Sequence, residues 1–203
     1  MRRVLTASAL LLAAFPAAAG ALPPRPPSAA KTSQAIGKLK VAEPLSMSGY
    51  SRAKFPHWIS QGGGCDTRKV VLIRDGRDVK TGANCRITSG TWFSYYDGLT
   101  LTSATQVDID HVVPLANAWR SGAKNWTTDR RRTFANDLDN SQLIAVSAAS
   151  NRSKSDKGPE QWKPPRKKAW CLYSRWWVQV KRHWRLTVVK AERSELRQMV
   201  ATC

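Results

Sequence analysis

The sequence predicts a mixed fold of class α+β, and three observations carry that expectation. Between Lys69 and Asp110 the chain is rich in β-branched and aromatic residues broken by Gly-containing turns, the pattern of short strands. After Pro114 apolar residues recur at helical spacing, most plainly at Trp170, Tyr173, Trp177, Val180 and Trp184. Four cysteines follow an export-type start, which predicts two disulfides holding short elements together.

Taken in order, residues 1–21 read as a signal peptide. Arg2 and Arg3 give a positive start, Val4 to Phe15 an apolar run, and Ala17 to Ala21 the small residues a signal peptidase accepts. That run is shorter than the roughly 20 residues a membrane span needs. We therefore expect a secreted, extracellular protein with no membrane partner. Residues 22–43, with Pro23, Pro24, Pro26 and Pro27 and then small polar residues, predict a loose linker or propeptide. Residues 44–203 are left for one domain.

Within that domain Gly62-Gly63-Gly64 predicts a turn, and Lys69–Arg74 and Arg86–Tyr96 predict strands. Asp97-Gly98 is a further turn signal, and Thr100–Asp110 reads as extended. Pro114 suits the first turn of a helix through Trp119, and a second helix is expected around Thr128–Ala135. Leu143–Val146 reads as a short buried strand. Ser147 can then cap a helix holding Asn151 and Lys154, with Gly158-Pro159 as its stop. Helices over Arg166–Trp184 and Ala191–Val200 complete the chain. The nine tryptophans predict a core built from large aromatics.

Four cysteines allow three pairings. We favour Cys65–Cys85 and Cys171–Cys203, because each closes a segment that otherwise looks weakly anchored. A zinc cage is disfavoured by the lack of any Cys-x-x-Cys pair.

The net charge is +19; without Arg2 and Arg3 the basic residues fall to 31 against 14 acidic, or +17. This far exceeds what solubility asks and favours polyanions, nucleic acid first and acidic wall polymers or anionic membranes behind it. No base-reading module is recognisable, so grip without sequence preference is expected. Nothing in the sequence asks for an obligate dimer, and we expect a monomer.

Chemistry concentrates between Val107 and Pro159. Hydrolysis of a phosphodiester needs an activated water, stabilisation of added negative charge, and help for the departing oxygen. A hard divalent cation on oxygen ligands supplies the last two, and a neutral histidine can take the proton. Asp110, His111 and Asn151 offer that set. Neighbours in a regular strand point to opposite faces, so the strand is expected to end near Asp110, with Asp108 a reserve ligand. Lys154, one helical turn beyond Asn151, together with Arg152 and Arg131, is a candidate for phosphate contact. His57 and His183 lack acidic neighbours and read as structural or phosphate-facing.

Asp-His-Val-Val-Pro at 110–114 followed by Asn-Arg-Ser-Lys-Ser-Asp at 151–156 resembles the HNH, or ββα-metal, nuclease motif in the variant whose first His is Asp. The same pattern resembles the HNH domain of RNA-guided CRISPR nucleases. From about Gly49 onward the chain is similar to secreted bacterial HNH-family endonucleases, through Trp92–Gly98, Phe134–Asp137, Glu160–Pro164 and Cys171–Tyr173. The resemblance implies a ββα-metal core with additional strands and C-terminal helices. It makes His111 the general base and Asp110 and Asn151 the metal ligands, with Asn140 or Asn136 steadying the loop that carries the base. It also implies one divalent ion, Mg²⁺ or Mn²⁺, and DNA as substrate, with RNA as a second candidate. Two other classes compete: a basic protein that coats nucleic acid or wall polymer without chemistry, and a secreted toxin.

Overall fold

The computed structural model describes residues 24–203, so the signal-peptide reading of 1–21 lies outside the described residues. The chain begins with α1 (Ala29–Gly37) and continues through β1 (Ser60–Gly62), β2 (Cys65–Asp66) and α2 (Thr67–Asp75). Next come β3 (Gly76–Thr81), β4 (Ile87–Phe93), β5 (Thr100–Leu101) and β6 (Val107–His111). Helices α3 (Leu115–Arg120) and α4 (Thr128–Ala135) separate β6 from β7 (Leu143–Ser147). The last elements are α5 (Ala148–Lys154), α6 (Trp170–His183) and α7 (Lys190–Val200). The class is α+β, with three small antiparallel sheets ordered β1-β2, β3-β4-β5 and β6-β7.

The ββα unit is β6, β7 and α5. All five residues of β6 pair with β7, from Val107 opposite Ser147 to His111 opposite Leu143. Every residue of β7 is buried, because α2 covers this ladder on one side and α5 packs against it as well. Ser147 ends the strand and starts the helix, its hydroxyl accepting from the Ser150 amide. Two apolar clusters support the unit. The larger joins α1, α3, α4, α6 and α7 around Phe55, Phe134, Tyr173 and Trp177, and the smaller sets Val71, Leu72 and Trp92 against Val107, Ile109 and Leu143. Five of the nine tryptophans are buried, so most do serve the core.

Both disulfides take the favoured pairing, Cys65–Cys85 and Cys171–Cys203, across sequence separations of 20 and 32. In the chain-entropy account each contributes about 3–4 kcal/mol by restricting the unfolded chain. Cys171–Cys203 ties the C-terminus to the first turn of α6, and Cys65–Cys85 ties the start of α2 to the turn before β4.

Several expectations need correction. Lys69–Arg74 is not a strand but the body of α2. The run Val70–Ile73 has no period of its own, and Asp66 decides the matter by accepting the Lys69 amide as a helix cap, leaving Val71 and Leu72 buried. The strand lies one segment later, at β3, between the two predicted strands. Residues 22–43 are not loose where described. Thr32, Ala35, Ile36 and Leu39 bury one face of α1 and the turn after it against α6 and α7, and Arg175 donates to the Pro26 and Pro27 carbonyls. The ordered body therefore begins well before residue 44. Helix α5 ends at Lys154 rather than at Gly158-Pro159, with Ser155 in a positive-φ conformation. Strand β6 ends at His111, one residue past Asp110, so regular pairing still includes both residues.

Candidate active site

Because β6 stays regular, Asp110 and His111 leave it on opposite faces. Asp110 reaches Tyr96 and Lys154, whereas His111 reaches Ala135 and Trp58. They still border one cavity of about 560 Å³, since the end of the strand forms part of its wall, and Asn151 and Arg152 of α5 line it too. Beyond His111 the ladder passes to Gln142. Its backbone carbonyl accepts the Val112 amide, and its side chain brackets Val113 at 3.1 and 2.9 Å. That side-chain pairing holds the exit toward Pro114.

His111 is 4% exposed. Its Nε2 lies 3.0 Å from the Ala135 carbonyl, which can only accept, so Nε2 carries the proton and Nδ1 keeps its lone pair. Burial is the chief reason its pKa is pushed down to about 3, against a raising effect of the Ala135 bond. The ring is thus neutral throughout the physiological range. Trp58 lies against it with centroids 5.4 Å apart and planes inclined by 31°, and His57 stands edge-on at 6.3 Å.

The loop carrying His57 and Trp58 is held by Asn136. Its Oδ1 accepts from the Ile59 amide and the Thr67 hydroxyl, and its Nδ2 donates to Pro56 and Arg132 carbonyls. Asn136 also directly follows Ala135, the residue that anchors the His111 ring. Asn140 instead donates to Asp137 within its own turn, where Asp137 also accepts from Trp184. Of the two asparagines weighed from sequence, the structure brings Asn136 to the surroundings of His111.

Asp110 is buried, with Tyr96 donating to Oδ2 at 2.6 Å and Lys154 Nζ at 2.9 Å from Oδ1. Burial pushes the Asp110 carboxyl up and the Lys154 ammonium down, and their attraction opposes both shifts. Lys154 Nζ also donates to the His111 carbonyl and has no exposed surface. It is therefore corrected from a phosphate contact to a support under Asp110. Arg131 needs the same correction: it is buried and donates to Lys54, Ala123 and Trp126 carbonyls, stapling α4 to the preceding turns. Arg152 stays in the open, its side chain 75% exposed at the cavity.

Asn151 donates Nδ2 to Asp108 at 3.1 Å, so its Oδ1 is the end without a hydrogen bond among the described residues. Each Asp110 oxygen holds one partner and keeps a further lone pair. Both residues border the same cavity, and their oxygens make a donor set that fits a hard divalent ion retaining several waters. No group of three or more His, Cys, Asp or Glu side chains gathers among the described residues, and every cysteine is in a disulfide, so a thiolate or imidazole cage is not on offer.

Sequence reasoning missed several contributors. Arg52, exposed on the approach to the cavity, adds a second cation to Arg152. Tyr96 lies in the Trp92–Gly98 segment already singled out, but nothing local signalled its bond to Asp110. Trp58 left no signal beyond its aromatic neighbours. Asp97 accepts from Ser150 at 2.7 Å and from Ser147, fastening the first turn of α5. Burial alone would raise its pKa, yet these hydroxyls, Ser94 and the Leu99 amide hold it below the usual carboxylate value.

No solved structure matches the chain. A protein of Arthroderma benhamiae described as an uncharacterized secreted protein is 54% identical over 181 residues, 89% of each chain. The motifs suggested bacterial relatives, whereas this relative is fungal. Residues 71–199 match the family described as GmrSD restriction endonucleases, C-terminal domain, and that span holds β6, β7 and α5 with Asp110, His111 and Asn151. The chain belongs to the GmrSD restriction endonuclease C-terminal domain family.

Proposed function

We propose that the protein is a secreted, metal-dependent HNH endonuclease hydrolysing phosphodiester bonds of DNA, and of RNA as a second substrate, with little sequence preference. The observation that carries this reading is the fixed tautomer of His111. A neutral imidazole whose Nε2 is committed to Ala135 leaves Nδ1 to take a proton, beside two oxygen donors at one cavity. Asp110 and Asn151 would hold one divalent ion, Mg²⁺ or Mn²⁺, which when bound supplies a Lewis acid at the phosphoryl oxygen. His111 removes the proton from the attacking water. Arg152 and Arg52 bind and orient the phosphate chain by charge, a sequence-independent grip consistent with the +19 balance. Trp58 and the Pro56–Ile59 loop shield the base from bulk water.

Export rests on the N-terminal segment, on disulfides suited to oxidising surroundings and on the printed description of the relative. Among the described residues no helix is long and apolar enough to cross a membrane, and we take the protein to act as a monomer.

Plasmid DNA and RNA digested by the purified protein, with EDTA or with Mg²⁺ or Mn²⁺, beside His111→Ala, tests the reading. Cleavage that needs the ion and falls by about 10²–10⁴-fold in the variant is expected. The high charge also favours a protein that only coats nucleic acid. Retention of DNA without cleavage under either ion would select that alternative.

A further inference from the structure

Asp108 lies two residues before Asp110 on β6, so both side chains leave the strand on the face that α5 covers. Opposite them, Asn151 and Lys154 are three apart on α5. Two rungs result, Asp108 with Asn151 at 3.1 Å and Asp110 with Lys154 at 2.9 Å. The repeats agree, at roughly 6.6 Å for two strand residues and about 5–6 Å for a helical i,i+3 pair. Asp108 is therefore set against the amide of Asn151 by the same register that sets Lys154 under Asp110.

The two ends of an asparagine amide are nearly equal in size and opposite in chemistry, one donating and one accepting. A carboxylate only accepts, so it takes the NH₂ end and turns the oxygen away. The Asp108 oxygen that accepts from Asn151 also lies 3.5 Å from Arg152 Nε, and Asp108 is absent from the cavity wall that Ile109, Asp110, His111, Asn151 and Arg152 share. We propose that Asp108 is not a ligand but the positioning residue that fixes the flip of the Asn151 amide, so that an oxygen and not an NH₂ group is presented to a divalent cation. This rests on reading Asn151 as an oxygen ligand. An asparagine at 108 could donate as well as accept, and the lock on the amide would be lost.

Mn²⁺ titration of the full-length protein, followed by electron paramagnetic resonance, tests this in four proteins: wild type, Asp108→Asn, Asn151→Asp, and the double variant. Asp108→Asn should weaken Mn²⁺ binding about 10–100-fold in the wild-type background, as loss of a ligand's supporting partner does. A carboxylate at 151 shows an oxygen whichever way it turns. The same change made in Asn151→Asp should therefore cost less than about twofold, within the scatter of independent sites. Equal losses in both backgrounds would overturn the proposal, because direct ligation or simple support of the fold predicts that pattern. Undiminished binding in Asp108→Asn would overturn it as well, while leaving Asn151 as a ligand. Absence of Mn²⁺ binding by the wild type would remove the ligand reading itself, and this proposal with it.

Discussion

Among the described residues two lysines are fully buried, and each meets a buried carboxylate, but their surroundings differ. Lys181 of α6 spends its ammonium hydrogens on Asn117, Ser121 and the Thr187 carbonyl, and sits 3.2 Å from Glu192, which also accepts from Trp177. All three ammonium hydrogens there meet neutral protein acceptors, and the cluster pins α3, α6 and α7 together, while Glu192 borders a second cavity of about 410 Å³ beside Glu160. Lys154 has two partners, Asp110 and the His111 carbonyl, and Asp110 borders its cavity beside Asn151 and His111. The same pair of side chains faces a second carboxylate in one place and an amide with an imidazole in the other. The groups that share the cavity, more than charge or depth, separate a structural ion pair from one poised to take another partner.

Removing each lysine is the strongest way to break the comparison. Lys181→Met and Lys154→Met should both cost about 3–5 kcal/mol in urea unfolding, because each strands a buried carboxylate. The difference should emerge when Mn²⁺ is added. On our reading Lys154→Met regains about 2.7 kcal/mol when the ion stands at a hundred times its Kd, and Lys181→Met regains nothing. Equal recovery, or none in either, would erase the distinction between the two sites.

Two tyrosines sharpen it further. Tyr96 donates to Asp110, whereas the buried Tyr173 hydroxyl has no partner among the described residues. Tyr96→Phe should lose about 1.5–3 kcal/mol and Tyr173→Phe almost nothing, a contrast thermal unfolding can read.

The smallest effect concerns Glu160, close to the Lys181 cluster. Its Oε2 is buried without a partner among the described residues, and burial, with Glu192 nearby, raises its pKa. A folded-state pKa above the unfolded one means that the folded protein holds the proton longer. Stability is then lost as pH rises from the unfolded carboxylate value through the folded one, and the penalty is complete above it. Glu160→Gln should therefore stabilise by a few tenths of a kcal/mol at pH 7 and less at pH 4, the size being limited by partial exposure. A destabilised variant at pH 7 would show that Glu160 has a stabilising partner after all.

Much of this was legible in the chain, and what was not has physical causes. α4 lies where a helix was expected, and β7 and α5 were readable because Ser147 closes one and opens the other. Asp110, His111 and Asn151 stood out because the expected chemistry needs few residues at a recognisable spacing, and the structure places all three at one cavity. α2 was misread since four successive apolar residues carry no period, and one cap outweighed their β-propensity. α1 hid behind its prolines, although Thr32, Ala35 and Ile36 stand at helical spacing. Tyr96 and Trp58 act through contacts far apart in sequence, which leave no local signature. Lys154 read as a phosphate contact because it follows Asn151 by one helical turn; only the placement of Asp110 over it reveals the burial.

Between β6 and β7 lie α3, α4 and their turns, and the carbonyl that orients His111 belongs to the end of α4. Neither disulfide spans this gap, so neither shortens the search. Asp110 and His111 thus meet Asn151 only after a long loop has closed, and closure of distant contacts is the slow part of folding. A chain still emerging or still searching has the residues of the site without their arrangement. The proposed chemistry therefore needs that long-range pairing as well as the helices.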